Sequence, residues 1–276
     1  MQNIFMRFPG GKKKALTLSY DDGVKQDIRL IEIMKKHGLK GTFNLNSGLY
    51  APEENMRGNR LTLEQAIALY KENGMEVGAH GVNHLFLEQL PTHLCMAEVL
   101  KDRENLEEQF QGMIRGMAYP YGTYNDQVVE CLKNAGIVYC RTVKATGEFG
   151  IPKDWLRLET TCHHKDKRLM ELAQKFVEGD VTRTPWLFYI WGHSFGLDKD
   201  NGWEMIEEFI EYVGDNENIW YATNIEIYDY VKAYESLIYS ADGTRIYNPT
   251  AVSIYIECKS EAYEIGPGKE IFLKLD

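Results

Sequence analysis

Residues 15–23 read ALTLSYDDG, and the fold turns on this stretch. A short apolar run ends abruptly in two carboxylates and a glycine, as a buried strand does when it delivers polar groups at its C-terminal end. Similar runs recur as GTFNLN (41–46), MEVGAH (75–80), GMAYP (116–120), GIVYCRTV (136–143), WLFYIWGH (186–193) and IWYAT (219–223). Between most of them lie stretches of helical period, at 24–37, 63–73, 94–110, 127–134, 167–178, 202–213 and 225–236. Gly38 and Gly136 follow two of these stretches as C-terminal caps. Repeated β-then-α units predict an α/β fold, either a parallel barrel or a doubly wound sheet.

The texture changes near Tyr239. Turn signals at Asp242-Gly243, Asn248-Pro249 and Gly266-Pro267-Gly268 separate short alternating runs, which predicts a small antiparallel β appendage. So short a piece cannot bury a core by itself and should pack on the barrel. The expected organisation is a (β/α) unit over residues 1–236 and a β-rich appendage over 237–276.

Composition narrows the partners. Hydrophobic residues make up 44% and charged residues 26%, an ordinary globular balance. There are 41 acidic against 31 basic residues, a net charge of −10, which disfavours nucleic acid or any partner bound through its phosphates. The one basic run, Lys12, Lys13 and Lys14, leads into the first strand. The cysteines (Cys95, Cys131, Cys140, Cys162 and Cys258) are widely spaced and odd in number, and they read as reduced, buried thiols. No stretch approaches the roughly 18 apolar residues of a membrane span, and the first residues lack the apolar segment of a signal peptide. A cytoplasmic location is the expectation. Nothing in the sequence sets an oligomeric state.

Three strand ends carry chemistry. Asp21 and Asp22 close the first run; His80 and His84, four apart, follow the third; His193 ends the apolar run at 186–193. Asp-Asp-Gly alone can be a turn and helix cap, and a lone histidine can be a core residue. In a parallel barrel, however, all three ends converge on one mouth. Two imidazoles and a carboxylate with vacant positions form the ligand set of hydrolytic metal sites. Zinc is the default ion for such donors, with cobalt, nickel or manganese able to occupy it. His163 and His164 read as a polar turn or as pocket-lining. His37 suits a helix C-terminus, and the tryptophans read mostly as core, with Trp155 and Trp191 available as a platform for a sugar ring.

The order of LTLSYDDG, HGVNH, AYPYG and IWGHS resembles the polysaccharide deacetylase family, carbohydrate esterase family four, across roughly residues 14–235. The resemblance implies a distorted (β/α) barrel of about seven parallel strands and removal of N- or O-linked acetyl groups from an acetylated saccharide. It makes Asp21 the general base, Asp22, His80 and His84 the metal ligands, and His193 the general acid. A backbone N–H near Tyr121 would stabilise the oxyanion. Two motifs depart from the family. Ala118 stands where the family's third motif has an arginine that touches the base, and Arg141 on the next strand is the candidate replacement, a solvated strand face being the other reading. Asp154-Trp155 matches the fourth motif only as a dipeptide. Hydrolysis of another amide, such as a cyclic imide or ureide, and saccharide binding without turnover are the rival readings.

Overall fold

A computed structural model describes residues 3–53 and 58–273. Its strands are β1 (Ile4–Arg7), β2 (Lys14–Asp21), β3 (Gly41–Leu45), β4 (Glu76–Ala79), β5 (Gly116–Ala118), β6 (Tyr139–Ala145), β7 (Leu158–Thr160), β8 (Cys162–His163), β9 (Trp186–Gly192) and β10 (Ile219–Tyr221). Then come β11 (Ile238–Tyr239), β12 (Arg245–Tyr247), β13 (Ile254–Cys258), β14 (Glu261–Ile265) and β15 (Glu270–Phe272). The helices are α1 (Gln26–Lys36), α2 (Leu63–Glu72), α3 (Thr92–Phe110), α4 (Asp126–Asn134), α5 (Leu169–Glu178), α6 (Gly202–Val213) and α7 (Asn224–Glu235).

The main sheet is parallel throughout, in the order β7-β6-β5-β4-β3-β2-β9-β8, with β10 paired to the first residues of β2. Residues 158–163 close it. β7 pairs with β6, and two residues later β8 pairs with β9, so one segment joins both ends of the sheet into a distorted barrel. That closing segment has no counterpart among the predicted runs. Its inward residues are too few and too mixed with Thr and His to show an apolar run.

Along β2 the side chains alternate. Leu16, Leu18 and Tyr20 pack outward against Leu30, Ile31 and Met34 of α1. Thr17, Ser19 and Asp21 therefore face the barrel interior, which is polar and hydrogen-bonded. Thr17 Oγ1 donates to Asn224 Oδ1 (3.0 Å), Asn224 Nδ2 to Tyr189 OH (2.7 Å), and Tyr139 OH to Glu76 (2.6 Å). Burial pushes the Glu76 carboxyl up, and its bonds from Tyr139, Ile225 N and Thr42 answer that cost.

The appendage is built from both chain ends. β1 pairs antiparallel with β13, which continues to β14, while β11, β12 and β15 form a second three-stranded sheet. The recruitment of β1 was not foreseen, because a four-residue strand shows no periodicity of its own. Arg7, fully buried, ties the layers together: its Nε donates to Glu257 (3.0 Å) and its Nη1 to the carbonyls of Met6 (2.8 Å) and Arg183 (2.6 Å). Lys13, just before β2, also pairs with Glu257 at 3.3 Å. The appendage thus abuts the start of β2, and Asp21 lies at the other end, roughly 23 Å away at strand rise.

Ile256 of β13 is fully buried in a second apolar cluster with Met6, Phe8, Tyr230 and Val231. Ile256→Ala should cost about 2–4 kcal/mol in denaturant unfolding, with m unchanged. A loss under about 0.5 kcal/mol would mean that the appendage contributes no shared core.

Candidate metal and catalytic site

Asp21 points into the barrel with 2% of its surface exposed. Two partners hold it: Arg141 Nη2 donates to Oδ2, and Asn44 Nδ2 donates to Oδ1 at 2.9 Å. Burial pushes its carboxyl up, but Arg141, the nearby His80 and His193 and the hydrogen bond outweigh that, bringing it down to about 2. Arg141 is itself 1% exposed, and its guanidinium lies over the Trp191 ring at 4.5 Å. Its position follows from register. Arg141 is the direct partner of Ala118 on the adjacent parallel strand, so a long side chain moved one strand over reaches the same interior.

Asp22 reaches the same mouth because its backbone turns. With φ at 86° it leaves the strand conformation, and its N–H donates to Asn44 O at 3.0 Å. Arg60 donates to both its carbonyl and its carboxylate, the latter at 3.0 Å.

His80 follows β4 and is 2% exposed. Its N–H donates to Asp102 Oδ2 (2.9 Å), and its Nδ1 sits 2.8 Å from Ala118 O. A carbonyl only accepts, so Nδ1 carries the proton and Nε2 keeps its lone pair. That Nε2 lies 3.1 Å from His84 Nε2. Burial pushes both imidazoles toward the neutral form, His80 to about 4, despite the raising influence of Asp21 and Asp22. Asp22, His80 and His84 each offer a ligand atom within 4.8 Å of the others. Neutral imidazole nitrogens converging beside a carboxylate fit a divalent cation.

His193, one third exposed, faces the cluster from the end of β9, its Nε2 3.9 Å from Asp21 Oδ2 and 3.8 Å from Asp22 Oδ2. His164 packs behind it, against Gly192, with Nδ1 3.1 Å from Tyr20 OH. A Cβ at residue 192 would lie 2.4 Å from that ring, so the approach to His193 requires glycine. His163 is a strand residue paired with Trp191, and His164 begins the turn that follows it, closed by Asp166 N donating to His163 O at 2.9 Å.

Tyr121 stands at the rim, half exposed, with φ at 59°, its ring stacked on Phe86 at 3.8 Å and edge-on to His84 at 4.3 Å. The structure brings together Asp21, Asp22, His80, His84, His193, Arg141, Trp191 and Tyr121. It leaves out Trp155, whose ring is buried edge-to-face on Tyr228 in the appendage-side cluster, while Asp154 caps the short turn that Trp155 begins. A large apolar ring gains more there than at a wet rim. Trp191, expected as a sugar platform, carries the Arg141 guanidinium on its ring and His163 edge-on at 4.7 Å.

Sequence reading missed Asn44, Asn46, Arg60, Glu98 and Asp102. The alternation of Thr42, Asn44 and Asn46 with Phe43 and Leu45 is a readable signal of a polar inward face. Arg60 lies in a loop with no periodicity to betray it. All five cysteines are buried. Among the described residues, no helix is long and apolar enough to cross a membrane.

Residues 9–140 match the family described as polysaccharide deacetylase. That stretch, just under half of the chain, is similar to the family, and the barrel fold is shared with solved structures of polysaccharide deacetylases and carbohydrate esterase family four. A Mycobacterium smegmatis structure assigned as a polysaccharide deacetylase is 17% identical, with 83% of this chain and 93% of that one covered and a TM-score of 0.57. The Xyl-CE4 domain of a multidomain xylanase from the hindgut metagenome of Trinervitermes trinervoides is 13% identical, covering 80% and 92%, with a TM-score of 0.54. The Streptococcus pyogenes deacetylase PplD, in complex with acetate, is 28% identical over 50% of this chain and 59% of its own, with a TM-score of 0.45. No curated protein matches the chain.

Removing Arg141 leaves burial to dominate at Asp21, so its carboxyl should rise. Asp21 then ionises only at higher pH, and the acidic limb of the pH–rate profile of Arg141→Met should move upward. The pair's contribution to stability, present above about pH 4 and lost as pH falls toward 2, should vanish in the same variant. An unmoved acidic limb would separate Arg141 from the ionisation of Asp21.

Proposed function

We propose that this chain is a metal-dependent hydrolase that removes acetyl groups, N- or O-linked, from an acetylated saccharide. The observation that carries the reading is the convergence of Asp22, His80 and His84 beside a buried, charge-paired Asp21 and opposite His193. The polysaccharide deacetylase match over residues 9–140 supports the reaction class.

In this reading Asp22, His80 and His84 hold one divalent ion. Zinc suits the donors best, and cobalt, nickel or manganese are alternatives. Such an ion supplies Lewis-acid polarisation of the acetyl carbonyl and water acidified toward neutral pH. Asp21 accepts the proton of the attacking water, kept ionised by Arg141 and aimed by Asn44. The backbone N–H of Tyr121 donates to the developing oxyanion. His193 returns a proton to the departing amine or alkoxide, a poor leaving group without it. Phe86, Tyr121 and Phe195 are partly exposed around the ligands and offer apolar faces to a sugar ring. The appendage over residues 237–276 serves packing rather than chemistry.

Protein purified without chelator should contain close to one equivalent of metal by elemental analysis, and His80→Ala or His84→Ala should lose it. Parent-level metal in both variants would exclude the triad. Asp21→Asn should keep its metal while turnover drops about a hundredfold or more, measured as acetate release from peptidoglycan fragments, chito-oligosaccharides and acetylated xylan. Release from none of the three by the metal-loaded parent would refute the saccharide reading.

A further inference from the structure

Asp22 holds a backbone conformation that L-residues avoid, and the groups that keep it there come from a loop outside the sheet. Residues 59–61 run antiparallel to 23–25. Lys25 N donates to Asn59 O at 2.8 Å, Leu61 N to Gly23 O at 3.0 Å, and Val24 and Arg60 form a bridge. The guanidinium of Arg60 is thereby laid against Asp22. Nη1 donates to the main-chain carbonyl of Asp22 and Nη2 to its Oδ1 at 3.0 Å.

Nη1 also donates to Asn46 Oδ1 at 3.0 Å. Asn46 passes the contact on: its Nδ2 donates to the carbonyls of His80 (2.6 Å) and Gly81 (3.0 Å). A continuous set of hydrogen bonds runs from Asp22, at the end of β2, to the backbone of His80, after β4. These are the two elements whose relative placement decides whether a carboxylate and an imidazole can share one ion.

We propose that Arg60 is a positioning residue of the metal site. Its planar fork fixes the turn and the carboxylate of Asp22 together, occupies Oδ1 so that Oδ2 remains for ligation, and couples Asp22 to His80 through Asn46. The proposal rests on the reading that Asp22, His80 and His84 hold the ion. Two effects oppose each other at Arg60. A cation beside the site repels a divalent ion, whereas a preset ligand favours it. Ligand partners of this kind typically govern metal affinity by 10–100-fold, so orientation should win. A lysine keeps the charge but cannot hold the carbonyl and carboxylate of one residue in a planar fork.

The experiment is zinc titration of metal-free protein in competition with a chromophoric chelator, with circular dichroism to verify the fold of each variant. Arg60→Met should weaken zinc binding by roughly 10–100-fold. Arg60→Lys should recover little of that loss. Asn46→Ala, which leaves the Arg60–Asp22 pair in place and cuts the link to His80, should weaken binding several-fold, and it carries the test if Arg60→Met does not fold. Parent-level or tighter zinc binding in Arg60→Met, or full recovery in Arg60→Lys, would overturn the proposal by leaving only charge at work. Failure of the underlying site is separate: the parent would take up no stoichiometric zinc, or His80→Ala would bind it as tightly as the parent.

Discussion

A carboxylate sealed inside a barrel must be paired or lose its charge, and at Asp21 the pairing with Arg141 settles the matter. Both groups are nearly inaccessible, so the ion pair escapes the solvent screening that makes surface pairs weak. The rest of the interior follows from it. Asn44 takes the second oxygen of Asp21, and Trp191 seats the guanidinium. The strand that carries Arg141 must lie in register with Ala118 for the side chain to arrive. A barrel that hosts a charge pair also needs a polar lining, and Thr17, Ser19, Asn44 and Glu76 supply it.

The mouth is held by backbone in sparsely populated conformations. Asp22, His84 and Tyr121 all have positive φ, at 86°, 54° and 59°. Such residues persist where the surroundings over-determine them. Here the surroundings are specific. Asp102 on α3 accepts from the N–H groups of His80 and Ser47, both at 2.9 Å, and Glu98, one turn earlier, accepts from Asn83 N at 2.6 Å. One helix therefore grips the amides of the 80–84 loop while Asn46 grips its carbonyls. On the proposed reading, Asp22, His80 and His84 are set by the fold before any ion arrives, the preorganisation that catalysis at a metal requires.

The two barrel ends have been given different work. The start of β2 is covered by a composite of both chain termini, pinned by the buried Arg7 and by apolar residues of β13. The opposite end is left open, with Tyr121 and Phe86 on one side of the ligands and Phe195 beside His193 on the other. On the proposed reading, this open rim offers its aromatic faces to the apolar face of a sugar ring. Packing thus accumulates at one end and exposed aromatic faces at the other.

Much of this was legible in the sequence. Apolar runs of strand length locate every strand from β2 to β6 and also β9 and β10, and the residues that close those runs include Asp21, Asp22, His80 and His193. The runs and their ends are local facts, since side-chain period and strand termination depend on residues a few positions apart. Arg141 was legible only through the resemblance, which marks Ala118 as the place of a missing arginine. What only the tertiary structure decided was which distant groups meet: Arg60 and Asn46 against Asp22 and His80, residues 158–163 closing the barrel, β1 joining β13, and Trp155 turning into the core. Each depends on register and closure between elements far apart in the chain. Hydrophobic pattern says which face is buried, but not what lies across from it.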